Sequence, residues 1–250
     1  MVRVVIAGIT GWVGRPLADA ISRAPDLELT GGVSRSDAGF PSSVDEALDA
    51  GPVDVLVEYT SAASVKSNVL TAVDRGVGVV VGSSGLSGED YEEIDALAKA
   101  RGIGVIAAGN FSLAATLHLR FAEEAARHLQ TWEIVDYASA TKPDAPSGTA
   151  RELAERLQGV RPPAIGVPVA DVLGPEGVRG ATVAGTQVHS LRLPSFIIST
   201  DVIFGGESER LTLRYDAGES AAPYIAGTLL AIRALPGRVG LTRGLDRLLF

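Results

Sequence analysis

The chain has 250 residues, 46% hydrophobic and 21% charged, a composition that buries a sizeable core in one large or two modest globular domains. It contains no cysteine, which excludes disulfides, thiolate metal ligands and a cysteine nucleophile and fits a reducing compartment. A net charge of −8 with no long basic run argues against nucleic acid as the main partner.

The N-terminus, Met1-Val2-Arg3-Val4-Val5-Ile6, carries no signal-peptide pattern, and no apolar run approaches the length of a membrane helix, so the expected setting is cytoplasmic with no membrane partner. Val2–Ala7 is apolar apart from Arg3, as expected of a buried parallel strand. Gly8-Ile9-Thr10-Gly11-Trp12-Val13-Gly14 follows, and Val13, Leu17 and Ile21 then mark one helical face. Leu27–Val33, Val53–Val57, Val77–Val81 and Ile103–Ala107 read as further strands. Between them, Val65, Val69 and Val73 mark a helix, and Ser87-Gly88-Glu89-Asp90 resembles a capping box before a helix near Tyr91–Ala100. Parallel neighbours need crossover helices, so this alternation predicts an α/β, doubly wound parallel sheet.

The pattern changes after Asn110-Phe111-Ser112. Leu113, Leu117 and Phe121 predict a longer helix, Trp132–Tyr137 a strand, and Gly148–Leu157 a helix, while residues 159–180 read as an extended loop. Gln187–Leu193, Phe196–Phe204 and Arg210–Tyr215 are strand-like with little helix between them, which predicts an antiparallel or mixed sheet in a smaller α+β domain. A last helix, about Ala221–Leu235, returns to the first domain. The expected domains are 1–110 with about 221–250, and 111–220.

The glycine triplet lies between a strand and a helix with GxxGxxG spacing. A pyrophosphate requires backbone that it can approach closely and a helix N-terminus directed at its charge. Gly8, Thr10, Gly11, Trp12, Val13 and Gly14 are therefore candidate cofactor contacts; the other reading is a tight strand–helix turn that binds nothing. An acidic residue at the end of the second strand would select NAD. This chain has Ser34-Arg35-Ser36 there, and a hydroxyl and a guanidinium suit a 2′-phosphate, so Ser34 and Arg35 predict NADPH in preference to NADH. The alternative for Arg35 is an ordinary solvated arginine.

Lys142-Pro143-Asp144-Ala145-Pro146-Ser147-Gly148-Thr149 opens the helix of the second domain. N–H groups at a helix start, the hydroxyls of Ser147 and Thr149 and the nearby Lys142 make a carboxylate receptor, or else a capped helix with a rigid lead-in. The only histidines are His118, His128 and His189, none at short ligand spacing, and the first two are expected at the surface or core edge of one helix; no metal is predicted.

The whole chain resembles the dihydrodipicolinate reductase family. The resemblance rests on the glycine loop, Gly82-Ser83-Ser84-Gly85, Gly109-Asn110-Phe111-Ser112, and Glu133-Ile134-Val135-Asp136 followed by Lys142 to Ala150. Val188-His189, Val202-Ile203-Phe204-Gly205 and Glu209-Arg210-Leu211 extend it through the later strands. It implies an NAD(P)H-dependent reductase with a Rossmann-like first domain and a second domain that binds substrate and assembles a homotetramer. Hydride would pass to a C=N carbon of a small, cyclic, dicarboxylated substrate. Lys142 would be the catalytic lysine, and Ser147, Gly148 and Thr149 would hold a substrate carboxylate. Thr60, Gly82, Ser83, Ser84, Ala108, Gly109, Asn110 and Phe111 would complete the cofactor site.

The departures are as informative. The family places a proton-donating histidine and a substrate-contacting histidine where this chain has Ala138 and Ser139, the latter kept as a candidate substrate contact. Thr141, Ser199, Ser220 and Trp12 also replace family histidines or basic residues. General acid catalysis contributes about 10²–10⁴-fold, and a site that has lost cations favours a less anionic substrate. The leading expectation is an NADPH-dependent reductase of a cyclic imine or iminium ion. The alternatives are a genuine 4-hydroxy-tetrahydrodipicolinate reductase of lysine biosynthesis and a non-catalytic NADP-binding protein. Tyr137 is a weak candidate for the missing proton donor, because its side chain is expected to face away from the pocket.

Overall fold

The computed structural model describes residues 1–175 and 177–250. The chain divides into two compact units, Met1–Leu113 with Ser220–Phe250, and Ala114–Glu219.

Unit 1 is built on a six-stranded parallel sheet. Its strands are β1 (Val2–Ala7), β2 (Leu27–Val33), β3 (Val55–Glu58), β4 (Gly78–Val81), β5 (Gly104–Ala107) and β11 (Gly240–Arg243), in the order β11-β5-β4-β3-β1-β2. The central strands are apolar on both faces because each face is covered. Val4, Ile6, Val57, Val80 and Ile106 pack with Leu17 and Ile21 of α1 (Gly14–Arg23) and Ile232 of α7 (Ala222–Ala234). Val5, Leu56 and Val79 pack instead with α2 (Val44–Asp49), α3 (Val65–Asp74) and α4 (Gly88–Arg101). From β1 the chain steps to β2 on one side and then to β3 on the other, so the carboxyl ends of β1 and β3 flank a topological switch point. Three elements of this unit escaped the sequence reading: α2 is only six residues long, β11 lies in a stretch with no alternation, and a short 3-10 helix spans Leu245–Leu248.

Unit 2 contains a five-stranded mixed sheet. Its strands are β6 (Thr131–Ala138), β7 (Ala181–Val183), β8 (Thr186–Arg192), β9 (Ile198–Gly205) and β10 (Arg210–Ala217), in the order β10-β9-β6-β8-β7. β6 runs parallel to β8 and antiparallel to β9, so the three late strands are not spatial neighbours in sequence order. One face packs on α5 (Leu113–His128) and α6 (Gly148–Val160) through Leu119, Ala122, Ile134, Leu153, Leu157, Val202 and Phe204.

Three expectations need correction. The α5 helix forms where Leu113, Leu117 and Phe121 predict it, but its buried face is Ala115, His118, Leu119, Ala122 and Ala126, and Phe121 is 51% exposed. Small residues let the helix close on the sheet, so residue size misidentified the buried stripe. The expected loop at 159–180 begins only after α6 ends at Val160, includes a short 3-10 turn at Val169–Asp171, and contains residue 176, which lies outside the described residues. The expected strand start at Phe196 moves to Ile198, because Ser195 adopts a positive φ of 73° in the preceding turn.

The capping box is present in α4. Ser87 Oγ accepts from Asp90 N–H at 3.1 Å and Asp90 Oδ2 accepts from Ser87 N–H at 2.8 Å. Replacing Ser87 with alanine removes one of these caps. Urea unfolding of Ser87→Ala should show a loss of about 1 kcal/mol, with dinucleotide affinity unchanged.

Candidate active site

In unit 1 the carboxyl ends of β1, β3, β4 and β5 carry the residues singled out in the sequence. The turn after β1 is tight. Gly8 has φ +86°, and a Cβ there would lie 2.2 Å from the Tyr59 carbonyl oxygen. A Cβ on Gly14 would lie 2.1 Å from the Gly8 carbonyl oxygen, so α1 can begin at this point only on glycine. The α1 helix has no acidic residue in its first turn; Arg15 N–H and Leu17 N–H donate to the Gly11 and Val13 carbonyls at 3.1 Å each, and Pro16 carries no N–H.

A cavity of about 320 Å3 opens beside this turn and brings together Gly8, Thr10, Gly11, Ser34, Arg35 and Thr60. The hydroxyls of Thr10, Ser34 and Ser36 form a triangle with edges of 2.8, 3.2 and 3.3 Å, and Arg35 is exposed at its rim. No carboxylate follows β2 directly; the first acid, Asp37, accepts from Gly39 N–H in a local turn. Trp12, Val13 and Gly14 lie outside the cavity lining, and Trp12 is 61% exposed, 5.7 Å edge-on to Tyr224.

Gly82, Ser83 and Ser84 follow β4, and Ala108 to Phe111 follow β5. Gly82 leaves room for the Tyr59 ring, which a Cβ would meet at 2.1 Å, and Phe111 packs edge-on to the same ring at 6.1 Å while only 1% exposed. Asn110 Oδ1 accepts from Ser112 N–H at 2.8 Å. Ser83 Oγ is buried without a partner among the described residues. A glycine cradle, a helix start free of acids and an orphaned hydroxyl fit a nicotinamide dinucleotide.

Sequence reasoning missed Glu58, the last residue of β3. It is fully buried, and its Oε1 accepts from Thr60 N–H, the Thr60 hydroxyl and Asn68 Nδ2, which fastens the β3–α3 loop at the cavity. An acid ending an otherwise apolar strand was the available signal.

In unit 2 the side chains of β6 alternate. Ile134, Asp136 and Ala138 face the helices, and Tyr137 faces the other side. Tyr137 donates to Asp201 Oδ2 at 2.9 Å; burial and then the Asp201 carboxylate push its phenol up, which weakens it as a proton donor. Asp136 is fully buried in β6, ahead of the 142–149 loop. It accepts from Ser147 N–H at 2.9 Å, Ser147 Oγ at 2.6 Å, Ser190 Oγ at 3.1 Å and Arg192 Nη2 at 2.8 Å. Burial pushes its carboxyl up, but the Ser147 hydrogen bonds and Arg192 outweigh this and hold it below the ordinary range, so it is ionised at neutral pH. Ser147 in turn caps α6 by accepting from Ala150 N–H at 3.3 Å. The N–H groups of Gly148 and Thr149 are left at the helix start, and a Cβ on Gly148 would meet nothing within 4 Å, so there is space for a ligand. Lys142 Nζ lies 2.8 Å from Asp144 Oδ1, and Ser139 Oγ is 3.1 Å from Thr141 Oγ1.

The histidines are dispersed. His118 is buried against the Leu213 carbonyl at 3.1 Å and pushed down by burial, His128 lies 3.3 Å from Glu124, and His189 lies 2.7 Å from Glu133. Among the described residues no three His, Cys, Asp or Glu side chains group as metal ligands. No helix among them is long and apolar enough to cross a membrane.

A glycine turn on a doubly wound parallel sheet, joined in one chain to a second unit with a capped helix start free of acidic residues, defines the class of nicotinamide-dependent oxidoreductases. Comparison with known proteins makes the assignment specific. The family model for the dihydrodipicolinate reductase N-terminus matches residues 2–111, and that for the C-terminus matches residues 114–249. The chain belongs to the dihydrodipicolinate reductase family and is an NAD(P)H-dependent oxidoreductase acting on a C=N bond, which sets aside the non-catalytic alternative. The 4-hydroxy-tetrahydrodipicolinate reductase of Moorella thermoacetica is 37% identical over 99% of this chain and 98% of that protein. The enzyme of the same name from Cutibacterium acnes is 38% identical over 100% and 99%. A dipicolinate-bound dihydrodipicolinate reductase from Paenisporosarcina sp. TG-14 superposes with a TM-score of 0.89 at 28% identity, covering 99% of both chains. An amine dehydrogenase from Mycobacterium smegmatis, with a TM-score of 0.66 at 16% identity over 98% and 95%, shares the fold alone.

The Gly14 contact yields a direct test. Gly14→Ala should weaken dinucleotide binding by about a hundredfold, or ~3 kcal/mol, in a calorimetric titration, because the new methyl group meets backbone that cannot yield.

Proposed function

We propose that this chain is an NADPH-dependent reductase of a C=N bond in a small cyclic substrate that carries a carboxylate and is less anionic than a tetrahydrodipicolinate dianion. The observation that carries this reading is an anion loop with a histidine-free approach. Gly148 and Thr149 stand at an uncrowded helix start, whereas the family's histidine positions hold Ala138, which is fully buried, and Ser139, which is engaged with Thr141. When bound, NADPH supplies the hydride. Gly148 and Thr149 hold a substrate carboxylate through their N–H groups, and Ser147 keeps the helix start in shape. Lys142, located by Asp144, provides the ammonium that attracts the anion and can donate a proton. An already protonated C=N group needs no proton from residues 138 or 139, which matches their chemistry. Arg35 and the Thr10–Ser34–Ser36 hydroxyls favour the 2′-phosphate of NADPH. A homotetramer and a cytoplasmic setting, both implied by the family resemblance, belong to the same proposal.

A second reading is favoured by the full-length relatives at 36–38% identity: 4-hydroxy-tetrahydrodipicolinate, the substrate named in those relatives, is also the substrate here. NADPH oxidation with cyclic imines bearing no, one or two carboxylates separates the two. A monocarboxylate should be reduced fastest, and turnover confined to the dicarboxylated substrate would replace the first reading by the second. Lys142→Ala should lower kcat by about 10²–10⁴-fold with NADPH affinity intact, and unchanged turnover would remove lysine from the reaction. Arg35→Ala should weaken NADPH by about tenfold while leaving NADH nearly unaffected, and an equal effect on both would undo the cofactor assignment.

A further inference from the structure

The anion loop contains an electrostatic contradiction. A helix start that receives carboxylates should be free of negative charge, and the first turn of α6 has no acidic residue. Yet the fully buried Asp136 carboxylate is hydrogen-bonded to both the N–H and the hydroxyl of Ser147, the residue that caps this turn. An uncompensated carboxylate at that place would repel a second one arriving at Gly148 and Thr149.

Arg192 supplies the compensation. It ends β8, the strand parallel to β6, and its register partner is Ala138, next but one to Asp136 on the same face of the sheet. Its Nη2 donates to Asp136 Oδ2 at 2.8 Å and to the Asp144 carbonyl at 2.6 Å, and its Nη1 donates to the Leu191 carbonyl at 2.9 Å. Nη1 and Nη2 are thus committed to the wall of the loop, Nε is buried without a partner among the described residues, and the side chain is only 17% exposed.

We propose that Arg192 is a positioning residue: it cancels the charge of Asp136 so that the Ser147–Gly148–Thr149 helix start accepts a substrate carboxylate, without itself touching substrate. The inference rests on the reading of that loop as the carboxylate receptor. Asp136 shapes the loop through Ser147, and Arg192 prevents that shaping charge from opposing the ligand.

The test uses the full-length protein with saturating NADPH and measures calorimetric binding of two probes, pyridine-2,6-dicarboxylate and pyridine-2-carboxylate. NADPH affinity serves as the check on folding. Arg192→Lys keeps the charge and should bind the probes within about threefold of wild type, whereas Arg192→Gln and Arg192→Met should weaken both by about tenfold or more. The double variant Asp136→Asn with Arg192→Met removes both charges and should recover to within about threefold of wild type. Wild-type affinity in Arg192→Gln would reduce the arginine to a hydrogen-bonding brace and overturn the proposal. A double variant as weak as Arg192→Met, with NADPH affinity intact, would place Arg192 on the ligand itself and overturn it equally. If the wild-type protein binds neither probe, the carboxylate-receptor reading fails first and this inference falls with it.

Discussion

Asp136 is the charge around which unit 2 is arranged. A fully buried carboxylate loses its water, and an isolated one would cost several kcal/mol. Here four hydrogen bonds replace that water, donated by the cap of α6 and by two residues of β8. One side chain therefore fastens a strand to its parallel neighbour and to the start of a helix. The shape of the 142–149 loop, and the direction in which its N–H groups point, follow from that anchoring. The same compact arrangement leaves Ala138 flanked in register by Arg192 and Ile198, with no exposed surface.

Unit 1 answers to a different constraint, the close approach of backbones. The Gly8 carbonyl occupies the space that a side chain on Gly14 would need, and the Tyr59 carbonyl occupies that of a side chain on Gly8. The turn can be this tight only with glycine at both places, and the tightness sets the start of α1 against the carboxyl end of β1. Glu58 performs the matching task at β3 by holding Thr60 and Asn68 beside the same cavity. Both units thus use a buried or backbone constraint at a strand end to fix the first turn of a helix or the loop beside it.

How much was legible depended on whether the signal was local. The central strands of unit 1 are buried on both faces and read as apolar runs, so the parallel sheet was visible in Val2–Ala7 and in the glycine motif that follows it. The capping box at Ser87 was legible because both partners lie within one turn. The buried face of α5 was not, because alanines, Thr116 and His118 form it together with Leu119 while Phe121 is exposed. The order of the second sheet was not either, because β6 inserts between β8 and β9, which a chain-order reading cannot reveal.

The sequence by itself determined the fold class, the glycine turn, the position of the 142–149 loop and the absence of histidine before it, because each is written in residues that are neighbours in the chain. Only the tertiary structure decided what surrounds them. Arg192 lies 56 residues from Asp136 and Ser190 lies 54, and nothing in the local pattern marks either as its partner. The physical reason is that a buried charge must be matched in space: its partner comes from whichever strand lies beside it, and that neighbour is chosen by sheet register.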